Sequence, residues 1–393
     1  MSYTSDPTPT STFILKIASR CNLNCTYCYE YNLADHSWQT QPPVASIHTI
    51  QQTAARIAEH VIAHNVQHVS IIFHGGEPLL AGADFIKVAA DTLAGSVSPH
   101  AECTFGIQTN GILLSDVVIR ALAAVPVYVG LSIDGPATVH DIHRVYRNGR
   151  GSHDQVVSGS RWLLTNEGRK LFAGILAVID VTSDPHAVFN YLASFKPPSI
   201  DFLLPHGNWT NSPPMRSLCS ELTPYADWLI TVFDSWFDGL HSEVRIRIFE
   251  DIIEHELGGL GSLESLGLAP VTLVCVAPDG SIEAVDTLKS TYESAHRTGL
   301  DVYNNSFDEA LNHPAIRSRQ LGIDGVCSQC KQCRHVTTCG AGYYPHRWNQ
   351  ANGFDNPSVY CPDLMKLIAH IQRVVRSALA TDTGSCATNS CAN

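Results

Sequence analysis

Ser19-Arg20-Cys21-Asn22-Leu23-Asn24-Cys25-Thr26-Tyr27-Cys28-Tyr29 sets three cysteines in one short stretch, with three and then two residues between them. That spacing lets a single loop wrap a cubane iron–sulfur cluster, which takes four thiolates when fully ligated. Three thiolates leave one iron open, and an open position invites a small chelating ligand. Zinc is the competing reading, because C-x2-C pairs are common in zinc ribbons. A ribbon needs its second pair nearby, and no further cysteine occurs before Cys103.

Working outward, short apolar runs alternate with helical periodicity. Phe13–Ala18 (FILKIA) reads as a buried strand entering the loop, and residues 44–64 as a helix. Val69–Phe73, residues 103–108, Val127–Ile133, 171–179 and 200–204 read as further strands. Helical patterns fall near 83–94, 115–123, 154–167 and 185–195. Strand–helix alternation means parallel strands with crossover helices. The expected class is α/β: a partial (β/α)6 barrel at 13–222, with its chemistry at the C-terminal strand ends. A flexible tail is expected at 1–12, a helical linker region at 223–269, a smaller α+β domain at 270–380, and a disordered tail at 381–393. In the last tail Cys386 and Cys391 read as adventitious.

Composition narrows the classes. The formal charge is −12, which disfavours non-specific nucleic-acid binding. No apolar run approaches the ~18 residues of a membrane span, so no membrane partner is expected. Met1–Thr12 lacks the basic start and apolar run of a signal peptide. Many of the 13 cysteines cluster at 21–28 and 327–361. Without an export signal, such clusters suggest metal sites rather than a disulfide framework. Oxygen-sensitive clusters imply a reducing, cytoplasmic setting.

The motif C-x3-C-x-aromatic-C resembles that of the radical S-adenosylmethionine (radical SAM) enzymes. In that family a 4Fe–4S cluster binds S-adenosylmethionine at its open iron, and one electron releases a 5′-deoxyadenosyl radical. The resemblance implies a one-electron donor such as flavodoxin or ferredoxin. It extends to Gly75-Gly76-Glu77-Pro78 after the second strand, where relatives hold the methionine amino group. Two glycines permit close backbone approach, and the carboxylate can pair with an ammonium. Gln108 and Asn110 end the third strand, and Ser132 and Asp134 end the fourth. Their groups suit the methionine carboxylate and ribose hydroxyls, and Arg144 is expected as a bidentate partner of that carboxylate. Tyr27 fills the slot that contacts adenine in relatives.

Near the C-terminus, Cys330-x2-Cys333-x5-Cys339 followed by Cys361 is similar to the auxiliary-cluster part of SPASM domains, implying at least one auxiliary 4Fe–4S cluster. Cys275 and Cys327 fit part of a second cluster, but Ala284-Val285-Asp286 and Tyr343 lack the cysteines its full pattern requires. Asp286 matches a catalytic base of sulfatase-type relatives; a turn-end salt bridge with Lys289 is the plainer alternative. The stretches 285–289, 298–302, 343–347 and 352–361 resemble the cyclophane-forming peptide maturases. These join an aromatic ring carbon to a β-carbon in a ribosomally made precursor peptide. The expected partner is such a peptide, leader plus core. The leader is expected on the barrel or on 206–265 as an added strand. Competing readings are formylglycine formation of the sulfatase type, thioether formation, epimerisation, or a non-catalytic zinc-binding adaptor.

Overall fold

The computed structural model describes residues 6–216 and 222–387. They divide into two compact units: one of 6–180, 187–206 and 270–321, the other of 181–186, 207–216, 222–269 and 322–387.

The first unit is built on six strands: β1 (Thr12–Ala18), β2 (His68–Gly75), β3 (Glu102–Thr109), β4 (Val127–Ser132), β5 (Phe172–Val178) and β6 (Ser199–Leu203). Each pairs in parallel with the next in chain order. This is the expected partial (β/α)6 arrangement. Phe13, Ile71, Phe73, Val129 and Ile200 are buried on its strands. Helix α1 (Ile47–His64) starts where the Ser46 side chain accepts from the Thr49 N–H and ends at left-handed Asn65. Helices α2 (Ala83–Val97) and α3 (Asp116–Ala124) make the next two crossovers.

Three expectations need correction. The single helix read at 154–167 is broken into His153–Ser160, a 3-10 turn at Arg161–Leu164, and Asn166–Leu171. Thr165 recaps the chain by accepting from the Gly168 N–H, and a side-chain oxygen there restarts a helix. Second, residues 6–12 are not a loose tail. Thr10 is fully buried, its N–H donates to His60 Nε2 at 3.1 Å, and its hydroxyl donates to the Thr272 carbonyl at 2.7 Å. Third, the C-terminal helix runs from Cys361 to Ala387, so 381–387 are helical, while Cys391 lies outside the described residues.

The expected boundary at 270 also moves. β7 (Arg245–Ile246) belongs to the second unit, whereas β8 (Leu273–Val276), β9 (Ser281–Glu283) and β10 (Arg297–Asp301) join the first. β8 pairs in parallel with β1, and β9 and β10 follow antiparallel. The physical reason is the free edge of β1, whose unpaired amides and carbonyls would otherwise face outward. The expected linker 223–269 groups instead with the cysteine-rich segment in the second unit.

Candidate active site

The cysteine loop begins where β1 ends, and β2 continues the contact. Gly76 N–H donates to the Ala18 carbonyl at 2.8 Å, and Glu77 N–H to the Arg20 carbonyl at 2.9 Å. The two glycines serve this approach. A Cβ on Gly75 would overlap the Ala18 carbonyl, and one on Gly76 the Tyr31 hydroxyl and Arg20 carbonyl. Close approach to the loop backbone thus accounts for both positions.

Glu77 is sealed at 1% exposure. Its carboxylate accepts from the Leu79 N–H (3.0 Å), the Thr109 hydroxyl (2.7 Å) and the Asn110 N–H (2.8 Å), tying β2 to the end of β3. Burial pushes its pKa up, and these three donors offset only part of that. Asn110 in turn donates to the Asn22 side chain at 2.8 Å and approaches the Cys21 sulfur. Gln108 donates to the Ser132 hydroxyl at 2.8 Å, linking β3 to β4.

Tyr27 does not offer a free hydroxyl. It donates to Asp134 Oδ2 at 2.5 Å and accepts from Arg144 Nη1 at 3.0 Å. Asp134 also accepts the Val178 N–H at the end of β5. Arg144 follows helix α4 (Ala137–His143) and is 8% exposed, yet its Nε–H has no hydrogen-bond partner. Its charge lowers the pKa of both the Cys21 and the Cys25 thiol, but burial prevails and leaves both raised, Cys21 to about 12.

Asp286, in a 3-10 turn after β9, is buried on the same unit. Tyr29, directly after Cys28, donates to its Oδ2 at 2.9 Å. His206 packs edge-on against the Tyr29 ring, centroids 5.0 Å apart. Cys275 is fully buried on β8, and its sulfur accepts the Asp286 N–H. Lys289 does not pair with Asp286. It meets Glu30 at 2.8 Å in a sealed network with Lys16, which lies 2.5 Å from Glu30 and 3.1 Å from Glu283. Against the cost of burial, these two lysines hold Glu30 down at about 2. Sequence reading missed the network, although a lysine inside the apolar run FILKIA was its signal.

In the second unit Cys327, Cys330, Cys333, Cys339 and Cys361 act on one another's thiols, so five sulfurs share one neighbourhood. Cys327 and Cys330 lie in an apolar cluster with Val326 and Ala341. Cys339 opens a turn whose next three residues all have positive φ: Gly340 (58°), Ala341 (66°) and Gly342 (70°). Arg347 fastens it by donating to the Gly340 and Gly342 carbonyls at 2.5 and 2.7 Å, which gives that residue a structural task.

Residues 15–190 match the family model described as the radical SAM superfamily. They form a radical SAM domain. Among relatives, the cysteine-type anaerobic sulfatase-maturating enzyme of Clostridium novyi is 24% identical over 367 residues, 89% of this chain and 92% of that one. An uncharacterized protein of Synechocystis, sll1766, is 30% identical over 248 residues, 62% of this chain and 59% of its own length. The solved structure of native anSMEcpe with bound AdoMet superposes with a TM-score of 0.76 at 21% identity, covering 93% of this chain and 98% of that one. The likeness to this structure establishes the fold, including its C-terminal part.

Radical SAM chemistry uses a 4Fe–4S cluster and S-adenosylmethionine, and the residues fit both. The thiols of Cys21, Cys25 and Cys28 are all pushed up by burial, so a cationic cluster supplies the charge their thiolates lack. The unpartnered Arg144 Nε–H suits an anionic ligand group. The donors of the second unit, Cys330, Cys333, Cys339 and Cys361, fit an auxiliary cluster, with Cys327 as a fifth thiol beside them. Cys275 lies in the other unit.

Proposed function

We propose that this radical SAM protein oxidises a ribosomally made precursor peptide, joining an aromatic ring carbon to a β-carbon in a three-residue cyclophane. Bound at Cys21, Cys25 and Cys28, the cluster and S-adenosylmethionine supply a 5′-deoxyadenosyl radical that removes a hydrogen atom from the peptide. Arg144 holds the ligand carboxylate through its free Nε–H, and Ser132 and Gln108 present a linked hydroxyl and amide beside it. Asp134 and Tyr27 are engaged with each other, so they fix Arg144 rather than grip the ribose or adenine. Glu77 sets the backbone around the ligand ammonium and adds its charge from behind.

The observation that carries the reading is the buried Asp286 bound to Tyr29, one residue from the cluster loop. An oxidised peptide must lose a proton as well as a hydrogen atom, and a sealed carboxylate at this place accepts it. The product also requires the loss of one electron, which an auxiliary cluster held by Cys330, Cys333, Cys339 and Cys361 would accept. The stretch 343–361 favours the cyclophane among peptide oxidations. Formylglycine formation is the second reading, favoured by the likeness to sulfatase-maturating enzymes across most of the chain.

Co-expression with a candidate precursor peptide, followed by tandem mass spectrometry, tests this. The expected product is two hydrogens lighter, and its crosslinked three-residue stretch resists backbone fragmentation. A product that instead reacts with a hydrazide marks an aldehyde and overturns the cyclophane. Absence of 5′-deoxyadenosine from the reconstituted, reduced protein overturns the whole reading.

A further inference from the structure

The chain carries 37 acidic side chains against 25 lysines and arginines. Ile142-His143-Arg144-Val145-Tyr146-Arg147-Asn148-Gly149-Arg150 reverses that balance, with three arginines and no acid. Arg144 is buried, but Arg147 and Arg150 are exposed. The segment is a closed hairpin. Val145 bridges Gly151, the Tyr146 N–H donates to the Arg150 carbonyl at 2.8 Å, and left-handed Gly149 (φ 81°) turns the chain. The Arg150 guanidinium stacks over the Tyr146 ring, 4.7 Å from its centroid, which holds that charge in place. Neighbouring acids are turned inward. Asp141 Oδ1 accepts the Ser152 and His153 N–H groups at 2.8 and 2.9 Å. The Asp180 carboxylate sits 3.7 Å from His143 Nε2 with its side chain mostly covered. Asp154, on the helix that follows, is exposed and sets one acid against the two exposed arginines.

This hairpin stands directly on the cysteine loop. The Asn24 N–H donates to the Val145 carbonyl at 2.8 Å, and the Thr26 N–H to the His143 carbonyl at 3.0 Å. The Thr26 hydroxyl also meets His143 Nδ1 at 2.8 Å. Asn24 and Thr26 flank Cys25, and both are exposed. The one acid of the loop, Glu30, is sealed against Lys16 and Lys289. The rim of the loop and the arginine hairpin thus form one surface, uncharged beside the cysteines and positive next to them.

We propose that this surface docks a small acidic one-electron carrier protein, which reduces the cluster held by Cys21, Cys25 and Cys28. The inference rests on the reading above, that these three cysteines hold the cluster. A chain of net charge −12 repels an acidic carrier in general, and steers it to the face where arginines stand clear of acids. Two guanidiniums offer forked donors to a carboxylate patch. Electron transfer falls steeply with distance, so the useful place to dock is where the cluster loop reaches solvent, and the residues on either side of Cys25 do so. The balance is one electron: the carrier is oxidised by one, the cluster is reduced by one, and no bond forms or breaks.

Flavodoxin, an acidic carrier, is the probe. Its binding to the reconstituted full chain is measured by calorimetry, and the rate of 5′-deoxyadenosine formation is measured with reduced flavodoxin, both at low and at high salt. The Arg147→Glu, Arg150→Glu double variant is expected to weaken binding and slow this rate by roughly tenfold to a hundredfold, within the range of electrostatic steering. In the wild type both should fall as salt rises, and the double variant should lose that dependence. With saturating dithionite, a small reductant that needs no docking, the two proteins should form 5′-deoxyadenosine alike. Arg147→Lys with Arg150→Lys should keep most of the flavodoxin-driven rate. Lys87→Glu with Arg120→Glu makes the same change of charge on α2 and α3, and should leave it near the wild-type value. Unchanged flavodoxin binding in the reversed pair overturns the docking surface. So does an equal loss with dithionite, which marks a structural role, or an equal loss in the α2 and α3 pair, which marks a general effect of charge. A reversed pair that binds flavodoxin normally but loses its grip on the precursor peptide assigns the surface to the peptide, and overturns the carrier. A wild-type protein that makes no 5′-deoxyadenosine with either reductant overturns the proposed function instead, and the binding series still decides the docking surface.

Discussion

Glu77 is the buried acid of the proposed ligand site. Its folded pKa is raised by burial, so the folded state binds a proton more readily than the unfolded chain does. Its contribution to stability is therefore fully present at low pH and is lost as pH rises through the folded value. An ammonium placed beside it reverses the preference, so ligand binding must release a proton wherever the carboxyl is still protonated. Affinity for S-adenosylmethionine is expected to rise with pH across that window and then level off. Calorimetric titration of the reconstituted protein at several pH values checks the sign; a flat or falling affinity counts against it. Glu77→Gln should flatten the dependence. It should also cost about 1–3 kcal/mol of stability, because the new NH2 cannot accept from the Leu79 or Asn110 N–H. The motif was plain in the sequence, but the role of Glu77 as a tie between β2 and β3 was not. Nothing in Gly-Gly-Glu-Pro says that the carboxylate will turn back onto the next strand. Tyr27 repeats the lesson: an aromatic beside a cysteine suggests stacking, and only the fold brings Asp134 and Arg144 to its hydroxyl.

At the scale of elements, the junction of β1 and β2 decides whether the cysteine loop can form. The glycine pair lets the end of β2 run against the loop backbone, and Gly76 faces the tighter squeeze. Gly76→Ala is expected to cost about 1–3 kcal/mol, as for other insertions into packed structure. Because the strain falls on Arg20, next to Cys21, the loss should appear first as a lower iron and sulfide content per chain. Gly95→Ala is the matched comparison. It sits within α2 with open space around its Cβ position, and should stabilise by up to ~1 kcal/mol. Thermal melts and metal analysis of both variants distinguish a general glycine effect from one specific to the loop. The strands themselves were legible: each of the six apolar runs falls on an observed strand, shifted by a residue or two at most ends. Their periodicity carries that information locally. The broken helix at 153–171 was less legible, because apolar spacing continued across a break imposed by the Thr165 cap.

At the scale of the whole molecule, the chain leaves the barrel after β6 and returns to it. A boundary at 270 followed the change in composition, but composition does not register which strand edge is still unpaired. β8 closes the β1 edge, and its hairpin brings Glu283 and Lys289 to Lys16 and Glu30. The barrel drawn from the sequence, ending near 222, therefore lacks half of a buried ion network. Removing one partner of a buried pair costs about 3–5 kcal/mol, and native stability is itself only about 5–15 kcal/mol. A fragment of residues 1–222 also exposes the β1 edge that pairs with β8, and Phe13 loses its contact with the Phe307 ring. It is expected to aggregate or to bind no iron at Cys21, Cys25 and Cys28, whereas the full chain does both folding and loading under the same conditions. Replacing Lys16 by Met and Glu30 by Gln together in the full chain should cost less than the sum of the single changes, because the two charges answer each other. Urea unfolding of the two single variants and the double variant measures that coupling. If the fragment melts with the full chain and the coupling is nil, the return of 270–321 is decoration on a barrel that was already complete.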